Sequence, residues 1–158
     1  MELGMLNFTK IREKYRIPEG VRLIYPAKAD RPCSPPLGHI AMMADAFECG
    51  MRLPLHPFFR AILHSYNLCH YQLSLNFWTQ SMETWLLWQE VSLSYPMSLY
   101  VFHTLVELNK CAKRDKEPKE EVKDSYYLTP RGSHSPIITG HPSPIKHWMS
   151  QWLCVAGD

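Results

Sequence analysis

The segment GHIAMMADAFECGMRLPLHPFFRAILHSY, from Gly38 to Tyr66, constrains the fold more than any other part of the chain. Its prolines rule out a continuous helix. Pro54 fixes its own φ and drives Leu53 out of the α region, and Pro57 does the same to His56. The spacing therefore predicts two short amphipathic helices joined by a stiff elbow. Ile40, Met43, Ala44 and Phe47 fall at i, i+3, i+4 and i+7, one face of a 3.6-residue period. Gly50 follows, where a left-handed helix end wants a residue without Cβ. Pro57 suits the first position of the second helix, whose N–H would be unpaired in any case. Phe59, Ile62, Leu63 and Tyr66 repeat the apolar spacing there.

Around this centre the chain alternates helical and extended patterns. Residues 1–16 carry Leu6, Phe8, Ile11 and Tyr15 among charges, a lead-in helix that ends before Pro18. Val21, Leu23 and Tyr25 alternate with Arg22 and Ile24 as in a short strand. The AKADRPCSPPLG stretch is an extended loop. Past the elbow, Asn76 is placed to cap an aromatic-rich helix with Trp78, Met82, Trp85 and Gln89 on one face and Leu86 widening it. Phe77 and Trp88 fall elsewhere on its circumference, so it reads as the central helix of a bundle. A further helix starts near Pro96, with Ser94 just ahead and Met97, Val101, Leu105, Leu108 and Ala112 as its buried stripe. The stretch 113–124 is too charged to bury apolar area and reads as a mobile loop. SYYL, IIT and HWMSQWLCV follow as β-like pieces. In the last, Trp148, Trp152 and Cys154 alternate with Met149, Leu153 and Val155, which makes both faces apolar and implies an interior strand. A chain that stops at Asp158, straight after such a strand, reads as truncated.

The expected fold is therefore mostly α, within the α+β range. It is a small bundle of four to five helices with a short antiparallel sheet made by the Val21 strand and the C-terminal pieces. The organisation is a lead-in over 1–16 and one domain over 17–158. With 46% hydrophobic residues, 158 residues suffice for a core. The formal net charge of +2 gives no global pull on nucleic acid. Five cysteines without a C-x-x-C pair, and no signal-peptide pattern, read as free thiols of an intracellular protein. No apolar run is long enough to span a membrane.

Four stretches together resemble the gypsy-type transposon domain of plant proteins associated with retrotransposons. The lead-in IPEGVRLIYPAKADRPCSPPLG and the helix–RLPLHPF–helix unit carry most of the likeness. Arg52, Pro54, Leu55, His56, Pro57 and Phe58 form its most specific run. YQLSLNFWTQSMETWLLWQE is similar to the family's "QL.PN.W" helix, with Leu75 where the family has proline. SYYLTPRGSHSPIITGHPSPIKHW and HWMSQWLCVAGD resemble its two C-terminal segments. In the last of these, Met149 and Gln151 stand where the family carries lysine and arginine, so any role of those cations is lost. The resemblance implies a retroelement origin, not a known activity.

Chemistry offers little beside this. Asp45 and Glu48 lie on the polar face of the first predicted helix and read as solvated surface, not as a metal-binding pair. His64, Cys69 and His70 cluster without a fourth ligand at a zinc spacing, so no metal or other cofactor is expected. His56 reads as a ring-nitrogen cap on the second helix. No nucleophile elbow or phosphate loop occurs, and no catalytic residue is expected. The leading functional reading is a non-catalytic domain that binds protein, self-association included. The other is a nucleic-acid module using Arg131, Lys146, His147, Trp148 and Trp152, where cations and stacking rings come together.

Overall fold

Short-range rules decide where each helix begins. In the computed structural model, which describes residues 7–92, 94–111, 125–132 and 151–157, four α-helices form among these residues. They are α1 (Phe8–Tyr15), α2 (Pro57–Tyr66), α3 (Leu75–Val91) and α4 (Leu99–Leu105). Each opens on a side-chain cap that satisfies an otherwise orphaned N–H. Asn7 Oδ1 accepts from Lys10 N at 3.0 Å, and Ser74 and Ser98 accept from Phe77 N and Val101 N, each at 3.2 Å. Asn76 is thus inside α3 and does not cap it, and Ser98, not Ser94, opens α4. The charged stretch 113–124, the IIT piece and Lys146–Trp148 lie outside the described residues.

The expected mostly α bundle does not form. The fold is mixed α+β, with five strands in two small antiparallel sheets among the described residues. In the first, β5 (Trp152–Ala156) lies between β1 (Arg22–Ile24) and β2 (Ile40–Met43), pairing Leu23 with Val155 and Ala41 with Cys154. In the second, β3 (Val106–Lys110) pairs with β4 (Tyr126–Pro130), Leu108 opposite Leu128. The sheet expected from the Val21 region and the C-terminal strand is present, and β5 is its interior strand. Leu153, Cys154, Val155 and Ala156 are all buried there.

Two of the expected helical stripes are strands instead. Ile40 to Met43 form β2, and only Ala44 to Phe47 wind into a 3₁₀ turn. Ala41, Met42 and Met43 are buried one after another, because side chains on both faces of β2 are covered. A contiguous apolar run of that kind carries no period, so a helix and a buried strand look alike in it. Past Leu105 the chain leaves the helix, and Val106 is buried while Glu107 is exposed. Pairing with the distant β4 overrides the helical spacing of Val101, Leu105 and Leu108.

The core binds both sheets to the helices. Trp78, Phe47, Phe102, Met51, Ile62 and Leu153 are each under 2% or at most 2% exposed. Ser74 N donates to Tyr126 O at 2.9 Å, so the start of α3 is tied to β4. At the N-terminal side, Arg12 donates Nη2 to Val21 O at 2.7 Å and Nη1 to the carbonyls of Ile17 and Pro18. One guanidinium thus fastens α1 to the entrance of β1. Gly157, at φ 121°, closes β5 against this entrance, and a Cβ there would lie 2.7 Å from Gly20 O.

Candidate functional site

The RLPLHPF run is the most specific motif in the sequence, and each of its residues has a structural task. Arg52 Nη1 donates to Phe47 O at 3.0 Å and to Met51 O at 2.7 Å, holding the end of the 3₁₀ turn. Gly50 precedes it at φ 95°, the left-handed position expected of it. Met51, Leu53 and Leu55 are buried while Arg52, Pro54 and His56 are exposed, so the elbow runs extended with alternate side chains in the core. The Leu53–Pro54 peptide is cis. His56 Nδ1 accepts from Phe58 N at 3.2 Å, the ring-nitrogen cap expected on α2, and Pro57 opens the helix. Phe58 and Phe59 then pack edge to face, and Phe58 meets Phe102 of α4 in the same way at 5.7 Å.

The exposed side of Arg52 belongs to a polar cluster that the sequence did not signal. Glu48 Oε1 accepts from Lys14 Nζ at 2.5 Å and from the Tyr15 hydroxyl. Phe47 stacks on the Tyr15 ring at 5.1 Å, with Lys14 Nζ and Arg52 Cζ at 5.0 and 5.3 Å from the ring centre. The donors from Lys14 and Tyr15 hold the Glu48 carboxyl below its ordinary pKa. Burial, with the carboxylate beside it, pushes the Tyr15 phenol up. So held, Glu48 stays ionised and is a weaker proton acceptor than a free glutamate. Asp45 is half-buried, and desolvation, then Glu48, raise its pKa. A groove of about 410 Å³ opens beside the cluster, lined by Lys14, Tyr15, Arg16, Arg52 and Leu53. Three of those five residues are cations.

The other candidates are dispersed. Arg131 follows β4 and donates Nε to His103 O at 2.9 Å, whereas Trp152 begins β5 in the other sheet. Their proposed companions Lys146, His147 and Trp148 are outside the described residues. His70 does not join His64 and Cys69 but stacks on Trp78 at 5.2 Å and 14°. Burial against that indole pushes its pKa down to about 4. Among the described residues, no group of three or more His, Cys, Asp or Glu is placed to hold a metal ion. Nor is any described helix long and apolar enough to cross a membrane.

Residues 40–110 match the family model described as "Putative gypsy type transposon". Over this segment, a little under half of its length, the chain is similar to that family. The matched span begins at the first residue of β2 and ends at the last of β3, so it takes in the elbow and α2 to α4. The lead-in and the C-terminal segments, which also entered the resemblance, fall outside it. No curated protein and no solved structure matches the chain. Within the matched segment the motif residues Arg52 to Phe58 serve the backbone and the core. They explain why the run is specific without assigning it an activity.

Proposed function

We propose that this gypsy-type transposon domain is non-catalytic and works by binding protein, including a second copy of itself. The observation that carries the reading is where its exposed apolar side chains lie. Among the described residues eight large hydrophobic side chains are exposed, and Leu86, Leu87, Val91, Tyr95 and Tyr100 are five of them, all in one stretch of chain. Leu87 and Val91 are one turn apart on α3, so their side chains share a face. Val91 is 68% and Tyr95 75% exposed. Apolar surface gathered in this way favours association over solvation. In the polar cluster the Glu48 carboxylate is already engaged by two donors, Lys14 and the Tyr15 hydroxyl.

Size-exclusion chromatography with light scattering, at low and high salt, with and without an oligonucleotide, tests this reading. A protein-only oligomer that persists in high salt, and that Leu87→Ser with Val91→Ser dissociates, is the expected result. A monomer that binds the oligonucleotide at low salt and releases it at high salt overturns the reading in favour of the Arg131–Trp152 module. A monomer that binds nothing overturns self-association.

A further inference from the structure

We infer that the groove between α1 and the elbow is a docking site for an acidic peptide segment of a partner protein, gripped by Arg16 and Arg52. The site is separate from the apolar stretch on α3, and neither reading rests on the other.

The argument starts from which cations are already satisfied. Lys14 is engaged by Glu48, and Arg12, though close in sequence, spends its guanidinium on the carbonyls of Ile17, Pro18 and Val21. Arg52 uses Nη1 on two carbonyls, which fixes the plane of its guanidinium. Its other donors meet no protein acceptor among the described residues. Arg16 has none for its side chain either, yet its backbone is rigidly placed. It ends α1 in the left-handed conformation at φ 53°, its N–H tied to Arg12 O and Glu13 O. Two exposed guanidinium groups on fixed backbone, at the walls of one groove, are a device for carboxylate, which takes two parallel N–H donors from one fork. The ordering cost that weakens flexible surface ion pairs is reduced for Arg52, whose guanidinium two carbonyls already hold.

The groove's other features favour a peptide over a nucleic acid. A single-strand site needs an open aromatic face for bases to stack on. Tyr15 offers none, because Phe47 and the Lys14 and Arg52 cations already occupy its ring. The cations Lys14, Arg16 and Arg52 line one short groove, and Lys14 and Arg52 share a single tyrosine ring. Glu48 at the margin repels a uniform row of anions but leaves room for carboxylates spaced along an extended chain. Leu53 adds an apolar wall of the kind a peptide side chain can cover.

The test is a fluorescence-anisotropy titration of a labelled six-residue peptide in which glutamate alternates with leucine, with oligothymidylate as competitor. The key variant is Arg16→Asn, which removes the charge but keeps a residue at ease in the left-handed conformation, so the fold is retained. Arg60→Gln, exposed on α2 away from the groove, is the control for general charge loss. Binding that weakens with salt, falls about tenfold in Arg16→Asn and is unchanged in Arg60→Gln is the expected result. Failure to bind the peptide, or an equal loss in both variants, overturns the proposal. Oligothymidylate that displaces the peptide and depends on Arg16 overturns the peptide assignment.

Discussion

The two halves of α3 obey different rules although their compositions are similar. In the first half and just past it Leu75, Phe77, Trp78, Ser81 and Thr84 are buried, where α3 packs against β4 and the 3₁₀ turn of Ala44–Phe47. In the second half Leu86, Leu87 and Val91 are exposed. Trp85 stands at the border, half-buried, with Phe59 at 5.8 Å and His56 at 5.1 Å. Hydrophobicity alone therefore does not say what a residue is for. The same aliphatic and aromatic alphabet builds the core for three turns and then a surface that the fold does not use.

Substitution on the two sides of Trp85 should show the sharpest contrast. Trp78 is 2% exposed at the centre of the core, and Trp78→Ala is expected to cost about 3–5 kcal/mol, the range for emptying a large aromatic site. Leu86→Ala, two turns further on and 52% exposed, is expected to stay within about 0.5 kcal/mol of the parent. Urea denaturation measures both. Equal losses would mean that the second half is part of the core and would remove the basis for an association surface.

The next effect is one of pH and also reads the first half of α3. His70 lies on the Trp78 ring with its pKa lowered to about 4 from an ordinary 6.5. In the unfolded chain the imidazole takes up a proton near its ordinary pKa, while the folded protein resists doing so until about pH 4. Between those values the unfolded state binds more protons, so stability is full above the ordinary pKa and declines as pH falls towards 4. The loss is of the order of 2–3 kcal/mol. Urea midpoints measured from neutral to mildly acidic pH should follow this slope, and His70→Phe should flatten it. A slope unchanged in the variant would assign the acid sensitivity to other groups.

Some of this was legible in the sequence and some was not, for physical reasons that differ by element. The start of α2 was legible because proline geometry is local: Pro57 acts through its own φ and its missing N–H, and His56 through a reach of two residues. The interior place of β5 was legible because Leu153 and Val155 alternate with Trp152 and Cys154, and both sets are apolar. Strand β2 was not, since Ala41, Met42 and Met43 form a run without a period. Strand β3 was hidden because only β4, some twenty residues away in sequence, makes it a strand. The buried stripe of α3 was set slightly off, with Phe77 placed outside it and Leu86 within. The groove was the least visible feature of all. Lys14, Glu48 and Arg52 come from separate segments, and only the fold brings them onto one tyrosine ring.

The smallest effect tests the border itself. His56 touches Trp85 with its ring and caps α2 with Nδ1, so it joins the specific motif to the point where α3 changes character. His56→Ala removes both contacts at an exposed site, and about 1 kcal/mol of stability should go with the cap. His56→Asn keeps a side-chain acceptor for Phe58 N but gives up the ring. If capping is the main role, Asn recovers most of the loss and the tryptophan fluorescence is the parent's. If the ring contact is what matters, Asn is no better than Ala and the Trp85 emission shifts in both. The second result would extend the elbow's role from starting one helix to fixing where the next one leaves the core.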